Sequence, residues 1–92
     1  MYYDDVLNPA VRGYTVYSKS GCLHCVTAKK MLEKSPLLYI MCDEYLLKDR
    51  MDFLLTMNYY ALKEVTMFPM IFYDGDYIGG LKELRLHLES NP

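Results

Sequence analysis

Cys22 and Cys25 enclose only Leu23 and His24, a spacing at which two thiols can close and reopen a disulfide. They follow the β-type run Tyr14-Thr-Val-Tyr-Ser18 and stand where a helical pattern begins. Two cysteines three apart on the first turn of a helix form a small ring with little backbone movement. The helix N-terminus stabilises a thiolate on the first of them, and the thiolate is the nucleophile in thiol–disulfide exchange. Cys22 is therefore the candidate nucleophile. Cys25, one turn further in, loses the benefit of the helix end and gains burial, which suits a resolving thiol. A structural zinc site fits less well, because it wants four N/S ligands and the chain has no second Cys-x-x-Cys and no close histidine pair. The third cysteine, Cys42, ends an apolar run and reads as a small buried hydrophobe.

The elements that must position this pair are legible in outline. Residues 1–13 carry tyrosines, aspartates and a proline without a period, and are expected to form an N-terminal extension to a domain over 14–92. Residues 14–18 read as a strand, ended by Ser20 and Gly21. A helix is expected from about Leu23 to Lys34, with Val26, Met31 and Leu32 on an apolar face and Lys29 and Lys30 on a charged one, stopped by Ser35-Pro36. Leu37 to Cys42 is almost wholly apolar and predicts a strand buried on both faces. Asp43 and Glu44 open a second helix, from about Tyr45 to Lys63, whose apolar positions (Leu46, Leu47, Met51, Phe53, Leu54, Leu55, Met57) cover more than one stripe. Met70-Ile-Phe-Tyr73 and Tyr77-Ile78 flank Asp74-Gly75-Asp76 and predict a hairpin. Leu81 to Leu88, after Gly79-Gly80, predicts a last helix, with His87 at the surface. The order β-α-β-α-β-β-α requires a right-handed crossover between the first two strands, which are then parallel. A mixed four-stranded sheet with helices on both sides follows.

Composition narrows the function classes. Ninety-two residues make one domain, and 52% apolar residues suffice for a modest core. Ten basic against twelve acidic residues give a net charge of −2 with no basic cluster, so nucleic-acid binding is not expected. No apolar run approaches the ~18 residues of a membrane span. Met1-Tyr-Tyr-Asp-Asp5 is acidic where a signal peptide would be basic, so no leader is expected. Three cysteines do not make a stapled secreted scaffold, and a cytoplasmic monomer is the expected form.

Three separated segments, in order, resemble a glutaredoxin over roughly residues 14 to 90: Tyr17-Ser-Lys-Ser-Gly-Cys-Leu-His-Cys25, then Met67-Phe-Pro-Met-Ile-Phe72, then Asp74-Gly-Asp-Tyr-Ile-Gly-Gly80-Leu-Lys-Glu-Leu84. The resemblance implies a thioredoxin-like α/β fold. It also implies a dithiol enzyme without a tightly bound cofactor, using glutathione as reductant. It assigns attack to Cys22 and resolution to Cys25, and makes the Phe68–Pro69 bond cis. Lys19 would tune the thiolate or hold the glycine carboxylate of glutathione. Phe68, Pro69, Gly80, Leu81 and Lys82 would complete the glutathione site, Gly79-Gly80 letting the backbone approach the ligand. Acceptors would be disulfide-containing proteins, ribonucleotide reductase being one the family commonly serves, and glutathione mixed disulfides.

Two departures from the family pattern stand out. Leu23-His24 replaces the usual Pro-Tyr or Pro-Phe, and an imidazole there can favour the reduced form by contact with the thiolate. Lys82 stands where the family often has an aspartate, a cation facing the γ-glutamyl ammonium. Two other readings stay open at this level: a redoxin-like electron donor reduced by a flavoenzyme, and a glutathione-dependent [2Fe–2S] carrier. The second cysteine argues against the carrier.

Overall fold

A computed structural model describes residues 6–90. Its seven elements are β1 (Tyr14–Ser18), α1 (Leu23–Met31), β2 (Leu37–Met41), α2 (Asp43–Ala61), β3 (Met70–Tyr73), β4 (Asp76–Gly79) and α3 (Leu81–Ser90). The sheet order is β2-β1-β3-β4. β1 runs parallel to β2, with Tyr14 opposite Leu37 and Ser18 opposite Met41. β3 is antiparallel to both β1 and β4. The β3–β4 turn is carried by Asp74 (φ 51°) and Gly75 (φ 87°), the left-handed pair that a two-residue hairpin requires.

Side chains alternate across this sheet. Val16 and Ile71 face α1 and α3, packing with Ala28, Leu32, Leu81 and Leu84. Tyr17, Met70 and Phe72 face α2, packing with Phe53 and Met57. Completely burying one such side chain contributes ~1.5–3 kcal/mol, so the two central strands, β1 and β3, are fixed in register by both layers. Each carries residues to the functional end of the sheet.

Several boundaries and faces differ from expectation, each for a physical reason. β2 is not buried on both faces: it is an edge strand, and Leu38 and Met41 are 36% and 48% exposed. α1 ends at Met31, three residues early, because the Leu32 amide bonds back to the carbonyls of both Ala28 and Lys29 and the chain continues in turns. Its buried face is Cys25, Ala28 and the capping Leu32, while Val26 lies exposed. α2 begins at Asp43 and is interrupted at Asp49 (φ −160°, ψ 91°). The Asp49 carboxylate accepts the Asp52 amide at 3.1 Å, so Asp49 caps a new helical segment. His87 is half-buried rather than exposed. Its ring packs against Tyr14 and Tyr73, with centroids 5.7 and 4.8 Å away.

Residues 6–13 have no regular structure but are tied to the domain. Val6 is buried in the α2-side core. The Val6 carbonyl accepts the Tyr60 hydroxyl at 2.8 Å, and the Leu7 carbonyl accepts that of Tyr17. Burial raises the Tyr17 pKa, so its phenol stays a donor. Gly13 donates to Asp74 Oδ1 at 2.7 Å and its carbonyl accepts the Asp74 amide at 2.8 Å. The first five residues of the expected extension lie outside the described residues.

Candidate active site

The strand β1 delivers a short loop, Lys19-Ser20-Gly21, to the start of α1. Gly21 adopts φ 73°, a conformation that favours glycine. Asp43 at the start of α2 holds this loop, accepting from the Ser20 amide at 3.0 Å and the Ser20 hydroxyl at 3.2 Å. Cys42 donates its amide to the Ser18 carbonyl at 2.8 Å. The thiol of Cys42 is buried and its pKa is pushed up to about 12 by burial, leaving it protonated and inert at neutral pH.

Cys22 occupies the N-cap of α1 with extended backbone (φ −103°, ψ 101°). Its sulfur accepts the Cys25 amide at 3.2 Å, where a serine or aspartate oxygen would accept in an ordinary cap. The first turn of α1 contains no acidic side chain. A thiolate at Cys22 therefore meets a donor and the positive end of the helix dipole without a competing anion. Cys22 is half-buried and Cys25 wholly buried. The pair is disulfide-bonded with Cα atoms 5.2 Å apart, the oxidised form of a dithiol centre.

Beside the pair opens a groove of about 490 Å³. His24, inside the Cys22–Cys25 loop, forms one wall, and Phe68, Pro69, Gly80, Leu81 and Lys82 line it as well. The Phe68–Pro69 bond is cis. Lys19 does not line the groove; its ammonium lies 5.4 Å from the Phe68 ring centroid, a cation–π contact at the same loop. Phe68 in turn stacks on Phe53, which stacks on Tyr45, with centroid separations of 6.1 and 5.6 Å. The loop carrying the cis-proline is thereby fastened to the α2-side core.

The structure adds groove residues that sequence reasoning missed: Lys63, Thr66, Met67, Tyr77, Glu83 and Arg85. Glu83 is the most consequential. Its carboxylate accepts the Gly80 amide at 2.8 Å, while Gly80's carbonyl accepts the Leu84 amide at 2.9 Å. Gly80-x-x-Glu83 is half of a capping box, a signal readable in sequence. The Gly80 amide bond, with Glu83's own amide and the nearby Lys82 and Lys63, holds this carboxyl below its usual pKa. Gly79 makes the fold-back possible: a Cβ there would stand 2.6 Å from Glu83 Cγ. The space at Gly79, expected to admit a ligand, is filled by the chain's own glutamate.

Among the described residues no three His, Cys, Asp or Glu side chains converge as a metal site, and no helix is long and apolar enough to cross a membrane. A dithiol at a helix N-cap, on a mixed sheet with a cis-proline loop alongside, defines a thiol–disulfide oxidoreductase of thioredoxin-like fold. The chain belongs to the glutaredoxin family, whose family model, described as Glutaredoxin, matches residues 14–78. Glutaredoxin 1 from Francisella tularensis, solved in complex with cacodylate, is 28% identical with a TM-score of 0.73, the match covering 85% of this chain and 93% of that one. Reduced Escherichia coli glutaredoxin is 24% identical with a TM-score of 0.67, covering 86% and 95%. A buckwheat glutaredoxin–glutathione complex has the same fold at 21% identity and a TM-score of 0.65, covering 84% and 69%. None of the curated proteins compared by sequence matches the chain.

Proposed function

We propose that this oxidoreductase reduces protein disulfides and glutathione mixed disulfides in a reducing, cytoplasmic setting, with glutathione as its electron source. The observation that carries the reading is the Cys22 sulfur at the α1 N-cap, accepting the Cys25 amide beside an open groove. In the reduced protein the Cys22 thiolate attacks one sulfur of the substrate disulfide. A Cys22–substrate disulfide forms, the substrate S–S bond breaks, and one substrate thiolate leaves and takes up a proton. Cys25 then loses its proton and attacks the Cys22 sulfur. The Cys22–Cys25 bond closes, the second substrate thiolate leaves, and two electrons have passed from protein to substrate. Two glutathione molecules reverse the change at the protein and leave as glutathione disulfide.

Glutathione would lie in the groove. Its cysteine would meet Cys22, its backbone would run along Phe68–Pro69, and its carboxylates would be near Lys19 and the Gly80–Lys82 turn. The buckwheat relative, solved as a glutaredoxin–glutathione complex, supports glutathione as the ligand. The test is an NADPH-coupled assay on one disulfide substrate, supplying electrons either through glutathione and glutathione reductase or through thioredoxin reductase. Turnover with the glutathione system and none with thioredoxin reductase is expected. The reverse pattern would replace glutathione by a flavoenzyme as the reductant.

A further inference from the structure

On a chain whose formal net charge is −2, the rim of the groove is cationic. Lys63 reaches it from the turn that follows α2, and Lys82 and Arg85 from the first turns of α3. Lys19 stands at the Phe68 ring beside them. The acids on the same rim are Glu64 and Glu83. Glu83 already binds the Gly80 amide, which draws its charge against the helix end. Lys63, Lys82 and Arg85 are all exposed, whereas the floor between them is formed by Val65, Phe68, Pro69, Tyr77 and Leu81, buried or half-buried. Disulfide exchange itself does not need these cations around an apolar floor. Three cations against two acids, one of them tied to the Gly80 amide, leave the rim with an excess of positive charge, and such an excess around a cleft raises the local concentration of the opposite charge.

We infer that the groove selects protein substrates whose reactive cysteine lies in an extended segment rich in aspartate and glutamate. The floor takes the apolar side chain beside the cysteine, and Lys63, Lys82 and Arg85 take the carboxylates. This rests on the oxidoreductase reading above and adds selectivity to it without altering the chemistry. Each exposed contact changes affinity by only ~1.5–5-fold, so several acting together give about a tenfold preference. That preference is salt-dependent, because screening lengths fall from ~10 Å at 0.1 M to ~3 Å at 1 M.

The experiment is a single turnover of fully reduced protein, read by acid quench and mass spectrometry, so that no glutathione step intervenes. Two disulfide peptides share one apolar-Cys core and differ only in glutamate or lysine flanks, and hydroxyethyl disulfide serves as the uncharged reference. The glutamate peptide should react about tenfold faster than the lysine peptide at low salt. The ratio should approach one in ~0.5 M salt, and in K63Q/R85Q at low salt. Equal rates for the two peptides, with hydroxyethyl disulfide still reduced, would overturn the selectivity and leave the oxidoreductase standing. A preference that persists undiminished in K63Q/R85Q would overturn the assignment to this rim. Failure to reduce any of the three disulfides would overturn the reading beneath both.

Discussion

At the N-terminus of α1 the first turn holds no acidic side chain and the Cys25 amide is given to the sulfur of Cys22, whereas at the N-terminus of α3 the Gly80 amide is taken by the carboxylate of Glu83. Both helix ends contribute to the same groove. The first is left open to a charge that exists only when the dithiol is reduced. The second is neutralised at all times by a tethered anion. Helix ends of the same intrinsic polarity thus do different work, and what separates them is one glutamate at the third position of the helix.

Removing the sulfur at α1 breaks the comparison most severely. Cys22→Ser should lower both protein-disulfide and glutathione-mixed-disulfide reduction by a thousandfold or more, on the order of 4 kcal/mol of barrier, because the hydroxyl is not ionised at neutral pH. Cys25→Ser keeps the cap and the nucleophile. It should retain mixed-disulfide reduction while losing protein-disulfide reduction, measured side by side in the coupled assay. Full protein-disulfide activity in Cys25→Ser would show that resolution does not need the second cysteine.

His24, in the groove wall between the two cysteines, sharpens the α1 side. If its imidazole contacts the thiolate, His24→Tyr should lower the reduction potential by ~30 mV, about tenfold in a two-electron equilibrium constant. The Cys22 pKa should rise with it. A glutathione redox titration and pH-dependent alkylation test the two quantities on the same proteins. No change in either would leave His24 as an exposed groove residue without influence on the couple.

The α3 side is probed by Glu83→Gln, which keeps an acceptor for the Gly80 amide and removes the charge. The Michaelis constant for glutathione should fall by ~1.5–5-fold, the range of an exposed charge contact. An unchanged or higher constant would mean that the tethered carboxylate does not oppose the ligand. The same variant carries a pH signature. Because the folded pKa of Glu83 is depressed, its stabilisation is present above the unfolded carboxylate pKa and is lost as pH falls through the folded value. Urea midpoints compared between pH 7 and pH 3 should therefore drop slightly more for the native protein than for Glu83→Gln.

The order of elements, the parallel β1–β2 crossover, the Asp74-Gly75 turn and the cysteine pair were legible because each rests on local chemistry. These are β-branched runs, turn residues with positive φ, and a spacing of three. Which strand lies at the edge is a property of the assembled sheet, so the apolar composition of β2 pointed to burial that its single neighbour does not supply. The same holds for His87, whose aromatic neighbours come from β1 and β3. In the site, Phe68, Pro69, Gly80, Leu81 and Lys82 could be located from motifs. Lys63 and Arg85 could not, because they reach the groove only once α2 and α3 are folded against the sheet. Glu83 was legible in principle, as the third residue after Gly80, but its meaning depends on how its side chain folds back over Gly79, where a Cβ would collide with it.

The family match begins at Tyr14, yet the phenol of Tyr17 donates to the carbonyl of Leu7, and Val6 fills a place in the α2-side core. A chain started at Tyr14 would keep every catalytic and groove residue and still be a poorer protein. The Tyr17 hydroxyl would be left without its acceptor inside the core, a cost of ~1–3 kcal/mol, and the hole left by Val6 would add to it. The unit that the family model matches and the unit held together by these contacts are therefore of different length, and a recombinant version started at the matched boundary would be expected to report the weakness of its own truncation.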